Sequence, residues 1–138
     1  MRMPASLVLA VAVTSGCVSS EQAVVEGTLV DALGQPVPNV TVVLDAFDNR
    51  GKAPGEGFEP FEVETTTGPD GRFAFRFAPS DRLRRLAGAN APAVNFAITA
   101  FDPRQKLTWS WSFSREMGAT GWQHETTPVR LVPTRAGS

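Results

Sequence analysis

The chain has 138 residues, of which 42% are hydrophobic and 20% charged, and a formal net charge of −1. That composition fits one globular domain rather than a disordered chain, and near-neutrality excludes the broad positive field that nucleic acid or an anionic bilayer would draw in. With 12 Gly and 11 Pro the chain must turn often, which favours short strands over long helices.

In chain order, Arg2 forms a short basic start, residues 7–13 are a continuous apolar run, and Thr14, Ser15 and Gly16 are small. This is the layout of a secretory leader, and the run is too short to span a bilayer. It ends on Cys17, the single cysteine of the chain, so an internal disulfide is excluded and the thiol needs another role. The leader resembles a bacterial lipoprotein signal, in which a cysteine after small residues is lipidated and becomes the mature N-terminus. Here Thr14 stands where that family usually has Leu. The resemblance implies cleavage after residue 16, a lipidated Cys17, a short tether over 17–23, and membrane attachment through the lipid.

The folded part is expected over 24–133, with a tail over 134–138. Strands are predicted at 24–31, 39–47, 61–66, 72–77, 94–101, 107–114 and 128–132, each a short apolar or alternating run bounded by Gly, Pro, Asn or Asp. The third and fourth are expected to pair as a hairpin through Pro69-Asp70-Gly71, where Pro presets φ, Asp bonds to nearby backbone and Gly accepts positive φ. Phe73, Phe75 and Phe77 alternate with Arg72, Ala74 and Arg76, placing three rings on one face. Between Phe77 and the fifth strand, Ser80 reads as an N-cap, Asp81 suits the first helical turn, Leu83, Leu86 and Ala87 share a face, and Gly88 closes a short helix. The fifth strand looks apolar on both faces, as a central strand does. The sixth alternates most clearly, with Leu107, Trp109, Trp111 and Phe113 against Thr108, Ser110, Ser112 and Ser114.

These elements predict an all-β, seven-stranded antiparallel β-sandwich with one short helix near 80–88. Two segments then resemble the carboxypeptidase regulatory-like domain, a prealbumin-type sandwich related to transthyretin. They are Val25-Glu26-Gly27-Thr28-Leu29-Val30-Asp31 through Gly34-Gln35-Pro36-Val37 to Val42, and Thr65-Thr66-Thr67 through Asp70-Gly71-Arg72-Phe73-Ala74-Phe75. The match covers the first half of the domain, and the second half follows by continuity. The resemblance implies an extracytoplasmic accessory module that binds, spaces or stabilises.

Among chemistry-bearing residues, His124 is the one histidine, and the chain has no Tyr. Neither the several histidines of hydroxyisourate hydrolases nor the two Tyr and two His of intradiol dioxygenases can be assembled. A base without a marked nucleophile reads as a solvated loop residue. Zinc and iron–sulfur sites lack ligands. Asp45, Asp48, Asn49 and Glu56 line up oxygen atoms for a hard cation, yet the run lacks an EF-hand pattern and reads better as turn chemistry. No metal or cofactor is expected. Arg82, Arg84 and Arg85 form a basic patch, and Glu56, Glu59, Glu62 and Glu64 an acidic one, each read as a solvated face. Trp109 and Trp111 are expected in the core, while Trp122, between Gly121 and Gln123, is the candidate exposed ring for a sugar or protein partner.

The expected function is that of a non-enzymatic, extracytoplasmic lipoprotein of the cell envelope whose sandwich is an interaction or structural module. Its partners would be the membrane and an envelope protein or glycan, with no nucleic acid. The alternative is a carbohydrate-binding module that uses Trp122.

Overall fold

Alternation of side chains along each short run produces strands wherever one face can be buried, and the computed structural model has them at every predicted position. It describes residues 22–47, 61–87, 93–119 and 121–134. Among the described residues the strands are β1 (Ala23–Leu29), β2 (Thr41–Phe47), β3 (Phe61–Thr66), β4 (Arg72–Arg76), β5 (Ala93–Asp102), β6 (Leu107–Glu116) and β7 (Val129–Leu131), with one helix, α1 (Asp81–Ala87), between β4 and β5. They form two sheets, of order β4-β1-β7 and β3-β2-β5-β6. The leader, Cys17, Asp48, Asn49, Glu56, Glu59 and Gly88 lie outside the described residues.

The inward faces meet in one core that includes Val24, Leu29, Val42, Leu44, Phe73, Phe75, Val94, Phe96, Ile98 and Trp109. α1 begins as its sequence predicts. Leu83 N donates to Ser80 Oγ at 3.3 Å, and Leu83, Leu86 and Ala87 are buried. β5 is central, between β2 and β6, but its second face is not enclosed. Val94, Phe96, Ile98 and Ala100 point into the core, whereas Thr99 and Phe101 are exposed.

Two expectations about pairing are corrected. β3 and β4 are not a hairpin, because β3 pairs with β2 (Thr41↔Thr66 to Ala46↔Phe61) and β4 pairs with β1 (Val25↔Phe75 to Thr28↔Arg72). The local turn chemistry is nevertheless as expected. Gly71 has φ 78°, Arg72 N donates to Asp70 Oδ1 at 3.1 Å, and Gly71 N donates to Gly68 O. Contacts on either side of the turn send the two strands to different sheets. Thr67 is buried, donating from Oγ1 to Val37 O at 2.8 Å and accepting from Val40 N at 3.0 Å, which holds the end of β3 on β2. Gly71 O accepts from Leu29 N at 2.9 Å, which starts β4 on β1. The turn is therefore an arch over the edge of the core.

The second correction concerns direction. β7 runs parallel to β1, with Gly27 opposite Val129 and Leu29 opposite Leu131, so the pairing is not wholly antiparallel. Gly27 lies where β4, β1 and β7 come together, and a methyl there would meet Val129 O and the Phe73 ring. Both neighbours are fixed in sheet or core, so Gly27→Ala is expected to destabilise the fold by about 2–3 kcal/mol, the upper range for overpacking. Urea denaturation would show the transition moved to lower denaturant at unchanged slope.

Candidate functional site

Trp122 and His124 follow β6, in the segment where the sequence placed its surface aromatic. Met117 bridges to Trp122 and Gln123 N donates to Glu116 O at 3.0 Å, so the chain folds back along the end of β6. This return carries Trp122 inward. It is 5% exposed, its Nε1 donates to Phe77 O at 2.7 Å, and its ring meets Phe77 and Phe96 edge-on at 6.0 Å each. The expectation of an exposed ring is thus corrected: an indole with a polar N–H can be buried once it finds an acceptor, and the face a sugar would stack on is covered. Gln22 completes the enclosure, accepting from Trp122 N through Oε1 at 2.8 Å and from Phe77 N through its carbonyl at 2.9 Å. No local pattern marks Gln22, because its partner is 100 residues away in sequence.

Of the two tryptophans expected in the core, Trp109 is fully buried and donates from Nε1 to Val30 O at 3.0 Å. Trp111 is only half-buried and stacks on Phe113, with centroids 4.7 Å apart and planes 19° apart.

A cleft of about 460 Å³ opens beside Trp122, lined by Gln22, Glu26, Arg76, Arg115, His124 and Glu125 among others. Part of its charge is matched within the protein, while the buried Arg115 Nε has no hydrogen-bond partner. Arg76 pairs with Glu26 at 3.0 Å across β4 and β1. Arg115 donates to His124 O, and burial lowers its guanidinium pKa. His124 Nε2 lies 3.2 Å from Glu116 Oε1, with both side chains largely exposed. The carboxylate orients the imidazole, but no hydroxyl or thiol among the described residues is hydrogen-bonded to it as a nucleophile would be. Among the described residues no group of three or more His, Cys, Asp or Glu side chains is placed to hold a metal ion.

Several other charged groups make contacts within the fold. Arg82 lies over the Phe61 ring, 5.8 Å from its centroid, and Arg84 donates to Ala119 O at 3.2 Å. Asp102, buried at 1% exposure, accepts from Arg104 N at 3.0 Å and so organises the β5–β6 turn. Asp45 and Glu62 are directly opposed on β2 and β3. Burial, then the Glu62 charge and a hydrogen bond with Glu62, push the Asp45 carboxyl above its ordinary pKa. An acid whose pKa is raised on folding binds its proton more tightly in the native state, so stability falls as pH rises from the unfolded value through the folded one. Asp45→Asn is therefore expected to stabilise the protein by roughly 0.2–1 kcal/mol at neutral pH, with the gain gone below about pH 4. Thermal melts of both proteins across that range would check it.

No family model and no curated protein matches the sequence. Among solved structures, the chain is similar to 3-chlorocatechol 1,2-dioxygenase from Rhodococcus opacus 1CP, with 15% identity and a TM-score of 0.46 over 82% of this chain. The match spans 58% of that enzyme's chain. A likeness this distant carries neither fold nor activity across.

Proposed function

We propose that the chain is an extracytoplasmic lipoprotein of the cell envelope, held at the membrane through a lipidated Cys17, whose two-sheet domain is a non-enzymatic interaction or structural module. The observation that carries the reading is the short distance between the candidate lipid site and the fold. Gln22 is already tied to Phe77 and Trp122, leaving residues 18–21 as the intervening chain. Even fully extended, that stretch reaches no more than roughly 18 Å. The β1 start and the Trp122 cleft would then face the bilayer, and the turn at 31–36 would point away from it.

We infer further that the domain is a seven-stranded, prealbumin-type sandwich of the carboxypeptidase regulatory-like kind. Support comes from the motif-bearing segments, which supply β1, the turn into β2, the arch and β4, the elements through which the two sheets are joined.

Cys17→Ser tests the anchor. When the full-length chain is expressed in bacteria, the wild type is expected in the detergent-extractable membrane fraction, and the variant in the soluble extracytoplasmic fraction. Membrane retention of the variant would count against lipidation.

A further inference from the structure

The two sheets have four edges, and three of them are blunted. β7 is three residues long and carries Arg130, β4 carries Arg72 and Arg76, and β3 carries Glu62 and Glu64. Short length and exposed charge are the usual protections of a sheet edge. β6 is different. It is ten residues long, and Ser110-Trp111-Ser112-Phe113-Ser114 carries neither charge nor proline.

The direction of its unpaired backbone follows from two bonds. Thr108 O accepts from Thr134 N at 2.7 Å, and Glu116 O accepts from Gln123 N at 3.0 Å, both from chain lying off the sheet. Backbone groups alternate sides along a strand. The N–H and C=O of Ser110, Ser112 and Ser114 therefore point the same way, away from β5. Among the described residues no backbone partner meets them. The result is a window of about 15 Å, closed at one end by Thr134 and at the other by Gln123.

Beside the window, on the core side, lie the half-buried Trp111 and Phe113 rings, stacked on each other. On the opposite face are the exposed serines, with Ser114 Oγ donating to Asn95 Oδ1.

We infer that this window is a docking site for an extended segment of a partner protein, which adds to the sheet as a strand beside β6. The main-chain groups of Ser110, Ser112 and Ser114 would bond it, while Trp111 and Phe113 would receive its apolar side chains. The fitting segment is about five residues long, alternating apolar and small hydroxyl side chains and uncharged over that length. A second copy of this chain does not fit. Two-fold pairing of β6 about Ser112 sets Thr108 opposite Glu116 of the second copy, where Thr134 of one chain and Gln123 of the other would occupy the same space. The inference deepens the interaction-module reading but does not depend on Cys17, so failure of the anchor and failure of the edge are read separately.

A displayed library of random heptapeptides, panned on the domain from Val18 onward, would test it, with amide hydrogen exchange as the second readout. The Ser110, Ser112 and Ser114 amides are expected to exchange freely in the unbound domain. They should slow at least about tenfold with an enriched peptide, and that protection should vanish when the peptide's alternate amides are N-methylated. Ser112→Pro removes an outward donor and leaves the β5 ladder intact, since proline is tolerated on edges. It should weaken binding by about tenfold, with an unchanged melting profile confirming the fold. Three results would overturn the proposal: amides already protected in the dilute free domain, protection that grows with protein concentration, or no peptide enriched over the Ser112→Pro domain.

Discussion

Trp109→Ala is expected to destabilise the domain by about 4–5 kcal/mol, the upper end for removing a buried aromatic side chain. Two losses act together. Trp109 is fully buried between the sheets, so alanine leaves a large cavity beside neighbours fixed by their own ladders. Its indole also satisfies Val30 O at the end of β1, and that carbonyl would lose its side-chain partner. Trp109→Phe separates the terms, restoring much of the volume but not the bond, and should recover more than half of the loss. Equilibrium unfolding in urea measures both variants, and a loss below about 1 kcal/mol for alanine would contradict the packing described.

Trp122→Ala should cost about 3–4 kcal/mol, a stability effect where an exposed binding residue would show almost none. The ring closes the core against Phe77 and Phe96, and its Nε1 bond to Phe77 O ties the return loop to the end of β4. The intrinsic fluorescence carries an independent check, because the chain has three Trp and no Tyr. Trp109 and Trp122 should emit in the blue and resist acrylamide, while Trp111 should supply the quenchable fraction. That fraction should disappear in Trp111→Phe. If it disappeared instead in Trp122→Ala with stability unchanged, Trp122 would be a surface residue and the glycan reading would regain its platform.

The contrast between Trp111 and Trp122 shows where sequence pattern stops. Both tryptophans on β6 alternate with serines, and alternation assigns a face, not a depth. Trp109 and Trp111 share one face of the same outer strand, opposite Ala100 and Ile98, yet Trp109 is fully buried with its indole on Val30 O from the other sheet while Trp111 is only half-buried, a difference set by what packs over each ring. Trp122 has polar and glycine neighbours in sequence, which is the composition of an exposed loop. Its burial depends on Gln22 and Phe77, distant in sequence, and no short window of residues contains that information.

By itself the sequence determined every strand, the short helix with its Ser80 cap, and the turn at Pro69-Asp70-Gly71, because these rest on side-chain period and on the local conformations of Pro, Asp and Gly. What only the tertiary structure decided was which strands pair. The arch in place of a hairpin depends on the buried Thr67 hydroxyl and on Gly71 O reaching Leu29 N, and the parallel β1–β7 pair on Gly27 leaving room for Val129. The candidate docking edge has the same origin. Ser110 to Ser114 reads as an ordinary half-buried strand until the strand order leaves its outer side unpaired and the Thr134 and Gln123 bonds define its ends. Periodicity records which way a side chain faces, whereas the neighbour of a strand is set by contacts between residues far apart along the chain.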